Sequence, residues 1–105
     1  MIHIEILDGS PVKRSLQFGV EPSAHVIKIG RVPSADIRFE HDDQVARMHA
    51  MIECGHDGVR VIDLGSPLGT YVNDKKVTIR KLVSGDVISI GRQKLRLTFV
   101  IDPGN

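Results

Sequence analysis

Three features of the sequence predict an all-β fold, a β-sandwich of about eleven short, mainly antiparallel strands. Ten glycines and five prolines divide the 105 residues into short segments. Most of these segments alternate apolar with polar residues, as half-buried strands do. The turn chemistry between them recurs about every 6 to 12 residues, the spacing of a sandwich or barrel.

The elements follow in order. Ile2, Ile4 and Ile6 alternate with His3 and Glu5 until Asp8-Gly9-Ser10-Pro11 interrupts with turn residues. Leu16, Phe18 and Val20 share a face, and Val26-Ile27-Lys28-Ile29 ends at Gly30. After the breaker Val32-Pro33-Ser34, Asp36-Ile37-Arg38-Phe39 forms a further strand. The segment 44–53 is rich in helix formers, with Val45, Met48 and Ile52 at helical spacing; as a strand it would instead turn Met48, Ala50 and Ile52 inward. The neighbouring strand lengths favour the strand, and periodicity alone leaves the helix open. Val59-Arg60-Val61-Ile62-Asp63-Leu64 runs into the loop Gly65-Ser66-Pro67-Leu68-Gly69. Thr70-Tyr71-Val72-Asn73, a turn at Asp74-Lys75, Val77-Thr78-Ile79, Val87-Ile88-Ser89-Ile90 and Leu95 to Val100 complete the set. Residues 1–101 read as one domain, and Asp102-Pro103-Gly104-Asn105 as a tail or the start of a linker in a longer parent.

Composition narrows the function. Fourteen Lys plus Arg against thirteen Asp plus Glu leave a net charge of +1 without like-charge runs, which argues against nucleic acid as a partner. One Tyr, three Phe and no Trp make stacking platforms hard to build and the core aliphatic. Cys54 is the sole cysteine, so an internal disulfide and a cysteine-cluster zinc site are excluded, and a reducing cytoplasmic location fits. No apolar stretch approaches the roughly 20 residues that span a bilayer, and the N-terminus lacks a signal-peptide layout, so this segment is not expected to insert into a membrane.

Enzyme signatures are weak. Gly65-Ser66-Pro67-Leu68-Gly69 has its serine second, not third, and fails the nucleophile-elbow pattern. Gly30 and Gly91 are isolated and read as turn residues; they close the twice-occurring Ile-x-Ile-Gly-Arg, at 27–31 and 88–92. His3, His25, His41, His49 and His56 lack metal-ligand spacing, and Cys54 ends an apolar strand as a small buried side chain would. Neither catalysis, metal nor cofactor is expected. Lys75-Lys76 and Arg80-Lys81 read as solvated surface. Arg31 and Arg47 differ, because each lies at a strand–loop junction beside a small residue, Gly30 or Ala46, where a ligand has room for a forked contact with phosphate or carboxylate.

Together these segments resemble a forkhead-associated (FHA) domain, a phosphothreonine-peptide binding module. Gly30-Arg31 after an Ile-x-Ile strand resembles the family's GR, and Ser34-Ala35-Asp36-Ile37 the segment that follows it. Val45-Ala46-Arg47-Met48-His49-Ala50 resembles V-S-R-x-H-A, and Asp63 to Thr70 resembles D-L-x-S-x-N-G-T. Leu82 to Gly91 matches L-x-x-G-D-x-I-x-I-G. The resemblance implies an eleven-strand FHA/SMAD-like sandwich, with binding loops at one end and residues 44–53 forming loop, then strand. It implies Arg31 as the main phosphate ligand with Arg47 near the phosphate or flanking peptide. Ser66, Leu68 and Gly69 would belong to the peptide-binding loop, and Gly30, His49 and Thr70 would shape the loops. The partner implied is a phosphorylated protein or peptide.

Three residues depart from the pattern. Ala46 stands where the family usually has a phosphate-binding serine, Leu68 where it has an asparagine that holds the peptide backbone, and Pro67 where some members supply a further hydroxyl. A hydrogen bond to a charged group is worth about 1.5–3 kcal/mol, so Ala46 alone implies binding weaker by about tenfold to a hundredfold. Two readings follow: a phosphothreonine reader with weakened contacts, or a phosphorylation-independent scaffold that meets an unphosphorylated partner through Leu68 and Pro67.

Overall fold

The computed structural model describes residues 2–7, 14–18, 25–55 and 57–99. Among them are eleven strands in two sheets and no helix. They are β1 (Ile2–Ile6), β2 (Arg14–Phe18), β3 (His25–Gly30), β4 (Ile37–Arg38), β5 (Ala50–Gly55), β6 (Gly58–Asp63), β7 (Thr70–Val72), β8 (Lys75–Val77), β9 (Ile79–Lys81), β10 (Val87–Ile90) and β11 (Gln93–Phe99). One sheet has the order β2-β1-β11-β10-β7-β8 and the other β4-β3-β5-β6-β9. All pairings with a described register are antiparallel except β3 with β4.

Alternation decides which side chains meet between the sheets. Ile2, Ile4 and Ile6 from β1, Ile88 and Ile90 from β10, and Leu95 and Leu97 from β11 are buried against Ile27 and Ile29 of β3, Ala50, Ile52 and Cys54 of β5 and Val61 of β6. Burying an aliphatic side chain of this kind contributes about 1.5–3 kcal/mol, which suits a core built without large aromatics. Gly30, Ala50, Asp63, Thr70 and Ile90 all terminate strands at the same end, as the pairings Ala50 with Asp63 and Ile90 with Thr70 require. Connections 31–36, 39–49, 64–69 and 91–92 therefore gather there.

Several sequence expectations shift in detail. Val77-Thr78-Ile79 is not one strand: Thr78 lies between β8 and β9, which belong to different sheets, and its carbonyl accepts a 2.8 Å hydrogen bond from the Asp63 N–H. The expected turn at Asp74-Lys75 is one residue earlier, at Asn73-Asp74, where φ values of 48° and 69° match the left-handed hairpin turns that Asn and Asp tolerate. The segment 44–49 is loop, so the strand starts at Ala50, and Met48 is half-buried beside it; Val45 alone of the suspected helical stripe before β5 enters the core. Asp36 and Phe39 flank a two-residue β4 instead of extending it. The expectations for 8–11, Val20, His56, Val100 and the tail 102–105 lie outside the described residues.

Candidate functional site

The two Ile-x-Ile-Gly-Arg strand ends belong to different sheets, and both hold the 39–49 loop. In β3, a Cβ on Gly30 would lie 2.1 Å from the Arg47 carbonyl oxygen, so Gly30 allows a close approach of two backbones. It is the last residue of β3, where the sequence reading expected a turn residue. There the Arg31 N–H lies 3.0 Å from the Arg47 carbonyl and 3.2 Å from that of Ala46, and the Val32 N–H donates to Arg47 at 3.3 Å. After β10, Gly91 does have positive φ, 58°, and packs against Val45 and Asp42. Asp42, buried beneath it, accepts from the Arg92 N–H at 2.8 Å, the Gln93 side-chain amide at 3.0 Å and the Gln44 N–H at 2.9 Å. Burial alone pushes the Asp42 carboxyl up, but these donors and the Arg92 guanidinium outweigh it and hold it below its ordinary value.

His49 joins this loop to the next. Fully buried, its Nδ1 accepts the Ala46 N–H at 3.0 Å, which assigns the ring proton to Nε2, and Nε2–H donates to the Gly69 carbonyl at 2.8 Å. The 64–69 loop is organised around Asp63. Its carboxylate accepts the Gly65 N–H at 3.0 Å, the Ser66 N–H at 3.2 Å, the Ser66 hydroxyl and the Thr70 hydroxyl at 2.7 Å. Burial raises the Asp63 carboxyl, and the four donors more than reverse that, leaving it lowered. Asp63 entered the sequence reading as a strand end and as the first residue of the segment resembling D-L-x-S-x-N-G-T, without a role of its own, and Asp42 was given none. The signal for Asp63 was an Asx-type pattern, a carboxylate two and three residues before Gly65-Ser66. Asp42 had no signal, because its partners lie fifty residues away.

These ties surround a shallow depression lined by Arg31, Asp43, Gln44, Val45, Ala46, Arg47, Pro67 and Leu68. Arg31 is half-buried; its Nε donates to the Val45 carbonyl at 2.5 Å, which fixes the guanidinium plane while its terminal nitrogens have no carboxylate partner among the described residues. Arg47 is exposed and likewise unpaired among them. Arg38, Arg60, Arg92 and Arg96, by contrast, pair with Glu40, Glu53, Asp42 or Asp43, and Glu5. The structure thus brings Arg31, Arg47 and Leu68 to one depression. Gly69 is buried behind it at φ 88°, Thr70 is buried on Asp63, and the Ser66 hydroxyl proton is directed at Asp63.

A forked cation with its plane preset suits a phosphate or carboxylate. Ser66 donates its hydroxyl proton to the Asp63 carboxylate, which its four donors leave a weak base, and away from the loop end burial pushes the Cys54 thiol up, away from thiolate. Among the described residues no three His, Cys, Asp or Glu side chains come together as a metal site.

The FHA domain family model matches residues 27–91. The chain belongs to the FHA family. FHA domains are phosphothreonine-binding protein-interaction modules, and this one shares their β-sandwich. It is 40% identical over 78 residues to the glycogen accumulation regulator GarA of Mycobacterium tuberculosis, a match covering 74% of this chain and 46% of GarA. It is also 40% identical over 74 residues to the oxoglutarate dehydrogenase inhibitor of Corynebacterium glutamicum, covering 70% of this chain and 50% of the inhibitor. The matched region therefore spans about half the length of these curated relatives. The FhaA FHA domain, solved in complex with the intracellular domain of Rv3910, superposes with a TM-score of 0.76 at 30% identity, covering 92% of this FHA domain and 99% of that one.

Proposed function

We propose that the loop end of this FHA domain binds a phosphothreonine-containing segment of a partner protein, with Arg31 as the main phosphate ligand and Arg47 beside it. The observation that carries this reading is the Arg31 guanidinium, held through Nε on the Val45 carbonyl with its remaining donors unpaired in the depression. His49 and Gly30 support it by fastening the loop that bears Arg47 to both neighbouring elements, and Thr70 by joining Asp63 to the start of β7. Gly69 acts in this reading through its carbonyl and its missing Cβ, and Ser66 by shaping the loop through Asp63. The role is that of a non-catalytic regulatory module, acting in the cytoplasm on an enzyme partner, in keeping with the names regulator and inhibitor carried by its relatives.

The clamp is weaker than the family pattern implies, because Ala46 offers no hydroxyl and Leu68 no amide to the ligand. Titrating phosphothreonine peptides against wild type and Arg31→Ala tests the reading: a loss of tenfold or more in the variant is expected, and unchanged affinity overturns it.

A second reading, a phosphorylation-independent protein contact, is favoured by one feature. Leu68 is 53% exposed at the rim of the depression, next to exposed Pro67. Under it, a phosphatase-treated partner binds as well as the phosphorylated one, and clear loss of binding after treatment rejects it.

A further inference from the structure

Lys76, assigned from sequence to solvated surface, is positioned by the site. It lies in β8 one residue from the loop end, directly opposite Tyr71. Thr70 and Val72 are buried, so Tyr71 and Lys76 occupy the outward face of the six-stranded sheet, at its β8 edge. From there the lysine stem runs toward Gly69. A Cβ on Gly69 would lie 3.6 Å from Cγ, 3.5 Å from Cδ and 2.8 Å from Cε of Lys76, so successive methylenes close on the glycine and bring the end of the side chain to the 65–69 loop. The same glycine is held by His49 through its carbonyl, and the adjoining Leu68 lines the depression. A long cationic side chain laid along backbone in this way has its apolar stem covered and its charged head offered to solvent. No carboxylate pairs with it among the described residues.

Two unpaired arginines thus line the depression together with Leu68, and one unpaired lysine runs along the adjoining Gly69. We propose that Lys76 is a third cationic contact of the phosphopeptide site, taking an anionic group, a carboxylate or a second phosphate, that flanks the phosphothreonine. This rests on the reading in which Arg31 takes the phosphate, and it goes beyond that reading by specifying the chemistry of the neighbouring sequence: the segment crosses Leu68 and presents an anion beyond it. A singly phosphorylated segment with a neutral flank uses only the arginine side. An exposed ion pair of this type changes affinity by up to about fivefold.

Fluorescence anisotropy with three labelled phosphothreonine peptides tests the proposal, one with alanine flanks, one with glutamates on either side and one with a second phosphorylated residue. Lys76→Gln is expected to weaken the glutamate or doubly phosphorylated peptide by about three- to fivefold, and the arm affected identifies the source of the anion. The alanine-flanked peptide is expected to bind the variant unchanged, which also reports that it is folded. Lys76→Arg should restore the loss. Equal affinity of wild type and Lys76→Gln for all three peptides overturns the inference, as does an equal loss in Lys81→Gln, an exposed cation of the other sheet that lies opposite Arg60, away from the loop end. Failure of Arg31→Ala to weaken any peptide overturns the phosphate reading itself, an outcome separable from the Lys76 result.

Discussion

His49 shows at residue scale how one side chain sets a site that it does not touch. Each ring nitrogen has a backbone partner on a different loop, so the ring specifies both its own tautomer and the separation of Ala46 from Gly69. His49→Ala leaves a half-buried N–H and a buried carbonyl without their histidine partner and a cavity between the loops. A loss of about 2–4 kcal/mol in urea unfolding is expected. Gly30→Ala forces a Cβ onto the Arg47 carbonyl, where both partners are backbone and cannot rotate away, so Arg31 and Arg47 should separate. Calorimetry should register lower stability together with lost phosphopeptide binding. Ala46→Ser tests the missing hydroxyl from the other direction: it should strengthen phosphothreonine binding by about tenfold without altering affinity for the unphosphorylated peptide. Residue type was legible in the sequence for Arg31, Arg47, Ala46 and Leu68. Orientation was not: that the Ser66 hydroxyl points at Asp63, and that Lys76 runs along Gly69, depends on neighbours contributed by other strands.

At the scale of elements, the site is a set of loops held by carboxylates. Asp63 ties 64–69 to the start of β7, and Asp42 ties 39–49 to the β10–β11 turn. Both carboxyls sit below the ordinary aspartate value of 3.8 because hydrogen-bond donors outweigh burial. A folded-state value below the unfolded one means that this stabilisation is full above the unfolded value and is lost as pH falls through the folded value. The loop end should therefore loosen below pH 3.8, with the Gly65, Ser66 and Thr70 amide shifts moving together, and Asp63→Asn should abolish that shared titration. The element boundaries that sequence reading misplaced lie at junctions of this kind. Thr78 interrupts an alternating run because the chain there changes sheets, and residues 44–49 keep a helical spacing while their hydrogen bonds go to β3, to Asp42 and to His49.

For the whole molecule, two aliphatic sheet faces make a support whose one end gathers every connection of the site. The near-neutral surface fits a module that reads one or two phosphates with a few placed cations. A duplex DNA probe should show no gel shift at physiological ionic strength, since counterion release needs many phosphate contacts and the net charge is only +1. The alternation of Ile, Val and Leu with polar residues determined by itself that the chain makes a sandwich of short strands, because period-two burial depends only on which residues are apolar. The ordered motifs around Arg31, His49 and Gly69 likewise determined the family. Only the tertiary structure decided that the two Ile-x-Ile-Gly-Arg strand ends grip one loop from opposite sheets, that Asp42 anchors it across fifty residues, and that Lys76 lies beside Gly69. Those contacts join residues distant in sequence through hydrogen bonds and close backbone approaches, whose geometry exists only once both sheets have packed.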